Sequence, residues 1–80
     1  MKKYFGIYYR AKPNADLVLC EVDGGVCYEA YANESAACAL VGITNREAIN
    51  NGWLSRYEVH PIPSNTLVFD SETGSEAFAG

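Results

Sequence analysis

Cys20, Cys27, Cys38 and His60 are the residues best equipped for chemistry in this 80-residue sequence. Together they have the composition of a Cys3His zinc site. Structural zinc ligands usually come in close pairs such as C-x2-C, whereas these four are 7, 11 and 22 positions apart. Free cysteine otherwise behaves as a small hydrophobe of the core. The spacing favours that reading, and no metal is expected. Nucleophilic catalysis would need one thiol activated by a base. His60 is the single histidine, it precedes Pro61, and no second residue is marked as its orienting partner. The seven glycines form neither G-x-G-x-x-G nor G-x-x-x-x-G-K, so no phosphate cradle is present. The ten acids are scattered, with no pair singled out for acid–base work. The reading is of a non-enzyme with no cofactor.

The tyrosines and carboxylates say more. Net charge is −4, unevenly spread. Residues 1–12 carry Lys2, Lys3, Arg10 and Lys12 and no acid, a balance of +4, whereas 13–80 carry all ten acids against Arg46 and Arg56, a balance of −8. An acidic body repels free nucleic acid, which is bound by neutralising phosphates, and suits a basic protein surface better. Asp16, Glu21, Asp23 and Glu29 all belong to one stretch, and tyrosines fall on both faces of the expected strands. Aromatic rings beside carboxylates suit protein recognition. The expected partner-binding residues are therefore Asp16, Glu21, Asp23 and Glu29, with Tyr31 and Tyr57 as aromatic anchors.

The elements that position them follow from local patterns. Residues 3–11 alternate as a strand, with Phe5, Ile7 and Tyr9 on one face and Tyr4 and Tyr8 on the other. Lys12-Pro13-Asn14-Ala15-Asp16 breaks it. Strands over 17–22 and 26–32 meet across Asp23-Gly24-Gly25, a strong hairpin signal. With Asp23-Gly24 central, Cys20 lies opposite Cys27; with Gly24-Gly25 central, Val22 does. Leu17 and Leu19 share a face with Val26, Tyr28 and Ala30, the expected core face. Asn33 is the N-cap of a helix that Gly42 weakens or ends, with Ala36, Leu40 and Ile43 aligned at helical spacing. Thr44-Asn45-Arg46-Glu47 has a capping-box pattern, giving a short second helical turn stopped at Asn50-Asn51-Gly52. A fourth strand spans 56–62, confined to an edge or ended by its prolines. A short fifth spans 66–69, and 71–80 is a polar, frayed tail with Phe78 as its one docking candidate. This predicts one α+β domain: an antiparallel sheet of three to five strands with one main helix on one face, in the order β-β-β-α-β-(β).

Eighty residues fit a single domain, 1–80. No apolar run approaches the roughly 20 residues of a membrane span, and no apolar core of about 7–15 residues follows Met1-Lys2-Lys3 as in a secretory signal. Three cysteines are too few for a disulfide scaffold, which favours reduced thiols in a cytoplasm.

Residues 36–44, Ala-Ala-Cys-Ala-Leu-Val-Gly-Ile-Thr, resemble the first helix and turn of a helix-turn-helix module, implying a DNA-binding regulator. Ala48 replaces the large aliphatic of that pattern, and Arg46 is the only base of the would-be recognition helix. The whole chain resembles in type the small anti-defence proteins of bacteriophages and mobile elements, anti-CRISPR proteins above all. The resemblance rests on Met1-Lys2-Lys3-Tyr4-Phe5 opening into a strand, the Val22-Asp23-Gly24-Gly25-Val26 hairpin and the alanine-rich helix after Tyr31-Ala32-Asn33-Glu34. It implies a stoichiometric inhibitor in a bacterial host cytoplasm. Such an inhibitor docks on the basic surface of a nucleoprotein complex, without binding nucleic acid or membrane itself. A small-ligand or antitoxin-like module is the further alternative, and a homodimer through the 56–69 edge is compatible with each.

Overall fold

The computed structural model describes residues 3–20 and 28–80. Among them the elements are β1 (Phe5–Arg10), β2 (Val18–Leu19), β3 (Tyr28–Tyr31), α1 (Glu34–Asn50), β4 (Arg56–Pro61), β5 (Leu67–Asp70) and β6 (Ser75–Phe78). The fold is α+β, one helix on a mostly antiparallel sheet. β1 is its spine. All six of its residues pair with β4, from Phe5 opposite Pro61 to Arg10 opposite Arg56. Its other edge is shared: Tyr8 and Tyr9 pair with Leu19 and Val18, while Phe5 and Gly6 pair with Tyr31 and Ala30. β5 then adds to β3 in parallel, and β6 to β5 antiparallel.

Several expectations change here. β2 and β3 are both antiparallel to β1 and run in the same direction along it, so Val18–Leu19 does not pair with β3, while the Glu29 N–H donates to the Cys20 carbonyl at 3.3 Å where the two segments meet. The Asp23-Gly24-Gly25 turn and the position of Cys27 lie outside the described residues. Leu19, Tyr28 and Ala30 still share a face, because β1 aligns them. The supposed tail supplies the sixth strand. Asp70 Oδ1 accepts the N–H groups of Glu72 and Thr73 at 2.9 and 3.3 Å, and Gly74 takes φ +72°, a left-handed value that glycine adopts without strain. That turn sends the chain back along β5. Phe78 stays 65% exposed, and Ala79 is the residue that becomes buried. β5 is thus an interior strand, and of the expected 56–69 edge only β4 remains a rim.

The helix is one element of 17 residues. The Asn33 side chain accepts the Ser35 N–H at 2.9 Å, as an N-cap should. Gly42 does not interrupt it: a glycine inside a helix costs only about 1 kcal/mol, and 16 other residues favour continuation. Helix and turn expected around 42–44 are therefore a single rod, which removes the geometry of a helix-turn-helix. Its buried residues are Ala37, Val41 and Ala48, so the Ala36–Leu40–Ile43 stripe faces outward. The rod lies over β4, β1 and β3. Asn45 ties it down: its amide donates to the Tyr57 carbonyl at 3.0 Å and accepts the Tyr57 N–H at 2.8 Å.

Pleating sorts the sheet residues into two faces. Phe5, Ile7, Tyr9, Cys20, Tyr31, Tyr57 and Val59 share the helix side. The opposite face closes on itself at one end, where Tyr4, Ala30, Ile62, Val68 and Ala79 form a core with Leu19, Ala32 and Ala77 against it. Gly6 makes this possible. A Cβ there would stand 2.5 Å from Leu19 Cδ1 and 2.9 Å from Ile62 Cγ1, so only glycine lets both side chains lie across β1.

Candidate functional site

Beyond the helix, β5 and β6 extend the helix-side face. Register places Glu29 beside Phe69 and Phe69 beside Glu76, an acid–aromatic–acid row across three strands. Two strand spacings put the acids roughly 10 Å apart. In the next row Leu67 neighbours Phe78. Glu76 and Phe78 are exposed, while Glu29, Leu67 and Phe69 are half-buried. The Tyr31 hydroxyl donates to Glu29 Oε1 at 2.8 Å. Burial, followed by the bond to Glu29 and that residue's charge, raises the Tyr31 pKa, with an opposing pull from Ser71. The phenol therefore stays a donor and holds the carboxylate in place. Carboxylates on either side of an aromatic ring, one of them held by Tyr31, can receive a lysine or arginine side chain, by charge and by contact with the ring face.

Of the expected partner-binding residues, the structure brings Glu29 and Tyr31 together. Asp16 is exposed in the turn after β1, near where Arg10 donates to the Ala15 carbonyl at 2.8 Å. Tyr57 lies at the far end of the helix-side face, its ring 5.2 Å from that of Tyr9. Glu21 and Asp23 lie outside the described residues. Phe69, Glu76 and Phe78 were not anticipated. Their signal was the alternation of 75–78 following the Asp70-to-Gly74 turn residues, a hairpin pattern with a longer loop.

A second cluster occupies the opposite face. Glu58 accepts Arg10 Nε at 3.1 Å through one oxygen and pairs with His60 Nε2 at 2.9 Å through the other. The Tyr8 ring meets the His60 imidazole edge-on at 5.3 Å. Hydrogen bonding to His60 and then to Arg10 lowers the Glu58 pKa. A carboxylate so stabilised is a weak base, and the arrangement serves as a surface ion-pair network.

The two described cysteines lie apart. Cys20 is on the helix-side face and Cys38 on the exposed helix surface, both as free thiols, whereas His60 is on the other face. Burial and the Glu29 charge raise the Cys20 pKa, which keeps it a thiol and a poor nucleophile. No group of three or more His, Cys, Asp and Glu side chains is set to hold a metal ion among the described residues. No helix is long and apolar enough to cross a membrane among the described residues. No protein-family model matches the chain, and neither a curated protein nor a solved structure is significantly similar to it.

Proposed function

We propose that this chain is a non-enzymatic interaction protein of the anti-CRISPR type. In this reading it is a stoichiometric inhibitor that docks on a basic surface of a nucleic-acid-binding protein complex in a bacterial cytoplasm and blocks access to it. The observation that supports this most is the Glu29–Phe69–Glu76 row, with Tyr31 locking Glu29 and Phe78 exposed beside it. Its acids match a basic partner, and its rings supply the apolar centre that protein interfaces use. Inhibition then follows from occupancy: the partner's cations pair with Glu29 and Glu76 instead of with phosphate.

The test is a tagged pull-down from bacterial lysates carrying active defence systems, with and without nuclease, followed by mass spectrometry. A nucleic-acid-binding protein recovered stoichiometrically after nuclease treatment is expected. The double variant Glu29→Lys, Glu76→Lys should weaken its capture at least tenfold, since like charges then face each other. Undiminished capture by that variant would remove the site. Recovery of nucleic acid alone, lost with nuclease, would remove the inhibitor reading.

A further inference from the structure

The helix side that faces away from the sheet carries bulkier apolar residues, Leu40 and Ile43, than the side that faces it. Positions 36, 39, 40, 43, 46, 47 and 50 recur at helical spacing and form one stripe. They are Ala36, Ala39, Leu40, Ile43, Arg46, Glu47 and Asn50, all exposed. Leu40 is 40% and Ile43 62% exposed, and just past the C-cap Trp53 and Leu54 are 55% and 66% exposed. Against the sheet the same helix offers only Ala37, Val41 and Ala48 as buried residues. Neighbouring residues on a helix do not face each other, so Arg46 and Glu47 cannot pair within the chain. Neither has an ion-pair partner among the described residues.

We infer that this stripe is the contact between two copies of the chain, with their helices antiparallel about a two-fold axis passing between positions 46 and 47. In that register Arg46 of each copy stands opposite the partner's Glu47, so one symmetry operation satisfies both charges twice. The same register places Ile43 toward the partner's Asn50 and Leu40 toward the end of the partner's helix, past which Trp53 and Leu54 are exposed. The stripe is thus complementary to itself in charge, which argues for a second copy over a partner of one sign. Four large side chains about half exposed offer on the order of 400 Å² of apolar surface per copy. That is about half of the ~800 Å² each partner gives to a standard interface. The alanines and the stems of Arg46 and Glu47 supply part of the rest, and the pair is a weak, concentration-dependent dimer. The surface is separate from the Glu29–Phe69–Glu76 row, so a dimer leaves that row open.

Sedimentation equilibrium of the purified protein over a range from about 1 μM to 1 mM tests this. A monomer–dimer equilibrium with a Kd in the micromolar range is expected. Arg46→Glu and Glu47→Arg should each weaken it at least tenfold, and the double swap should restore it to within about threefold. Ile43→Asp should abolish it. All three positions are exposed, and circular dichroism melts verify that each variant folds. Glu29→Lys, Glu76→Lys should dimerise normally, which separates this result from the partner-docking test. A monomer throughout the range, a dimer indifferent to Ile43→Asp, or a double swap that restores nothing would each overturn the assignment.

Discussion

On the sheet face opposite the helix, two carboxylates meet different fates. Asp70, at the closed end, is 2% exposed. It accepts the Tyr4 hydroxyl at 2.9 Å through one oxygen and two N–H groups of its own turn through the other. Glu58, at the open end, is bracketed by Arg10 and His60, its side chain 36% exposed. Asp70 has formal donors of ordinary kind and little water; Glu58 has cations and plenty of water. The buried network stakes more, because each group that loses its partner there cannot turn to solvent. The exposed ion pairs are screened and replaceable. Asp70 also joins distant parts of the chain: Tyr4 is 66 positions away, so one carboxylate fastens the start of β1 to the β5–β6 turn. Its hydrogen bond, followed by burial and by the charges of Asp70 and Glu72, raises the Tyr4 pKa and keeps that hydroxyl a donor.

The largest test of this contrast is Asp70→Ala. Urea unfolding should show a loss of about 3 kcal/mol, from orphaned donors and lost volume; a loss under about 0.5 kcal/mol would erase the distinction. Next comes Gly6→Ala, which forces Leu19 and Ile62 off β1 and should cost about 1–2 kcal/mol by the same measurement. An unchanged midpoint would mean that the closed end is loosely packed. The smallest effect belongs to Glu58→Gln. A lowered folded-state pKa stabilises the protein above the ordinary carboxylate value and ceases to do so as pH falls through the folded one. The wild-type advantage over Glu58→Gln should therefore be slight at pH 7 and disappear toward pH 3. Paired thermal melts across that range check it, and an advantage that grew with acidity would contradict the ion-pair assignment.

Local pattern carried the sequence reading a long way. Alternation located β1, β4 and β5, Asn33 marked the helix start, and Leu19 and Ala30 were assigned to the right face. What local pattern could not supply was long-range. Asp23-Gly24-Gly25 advertises strands paired along their whole length, yet β1 takes β2 and β3 end to end along one edge. Leu40 and Ile43 are, with Ile49, the bulkiest apolar residues of the helix, so their spacing makes them the expected buried stripe. The sheet instead takes Ala37, Val41 and Ala48, because small residues allow close approach and Asn45 sets the rotation. The 71–80 segment is short and polar, and only pairing with β5 makes a strand of it. The Glu29–Phe69–Glu76 row was hidden for the same reason: its three members come from strands whose adjacency no local signal announces.

Asn45 has one more consequence. A primary amide carries the same donor and acceptor as a peptide group, and Asn45 presents both to Tyr57 as a neighbouring strand would. The rim of β4 is therefore already occupied at its second residue by an imitation of a further strand, and Pro61, near the other end, has no N–H to offer. An unguarded rim invites the sheets of other molecules to extend it, which is how fibrils grow. Here a single side chain both ties the helix to one residue of the strand and blocks that part of the rim against edge-to-edge extension of the sheet.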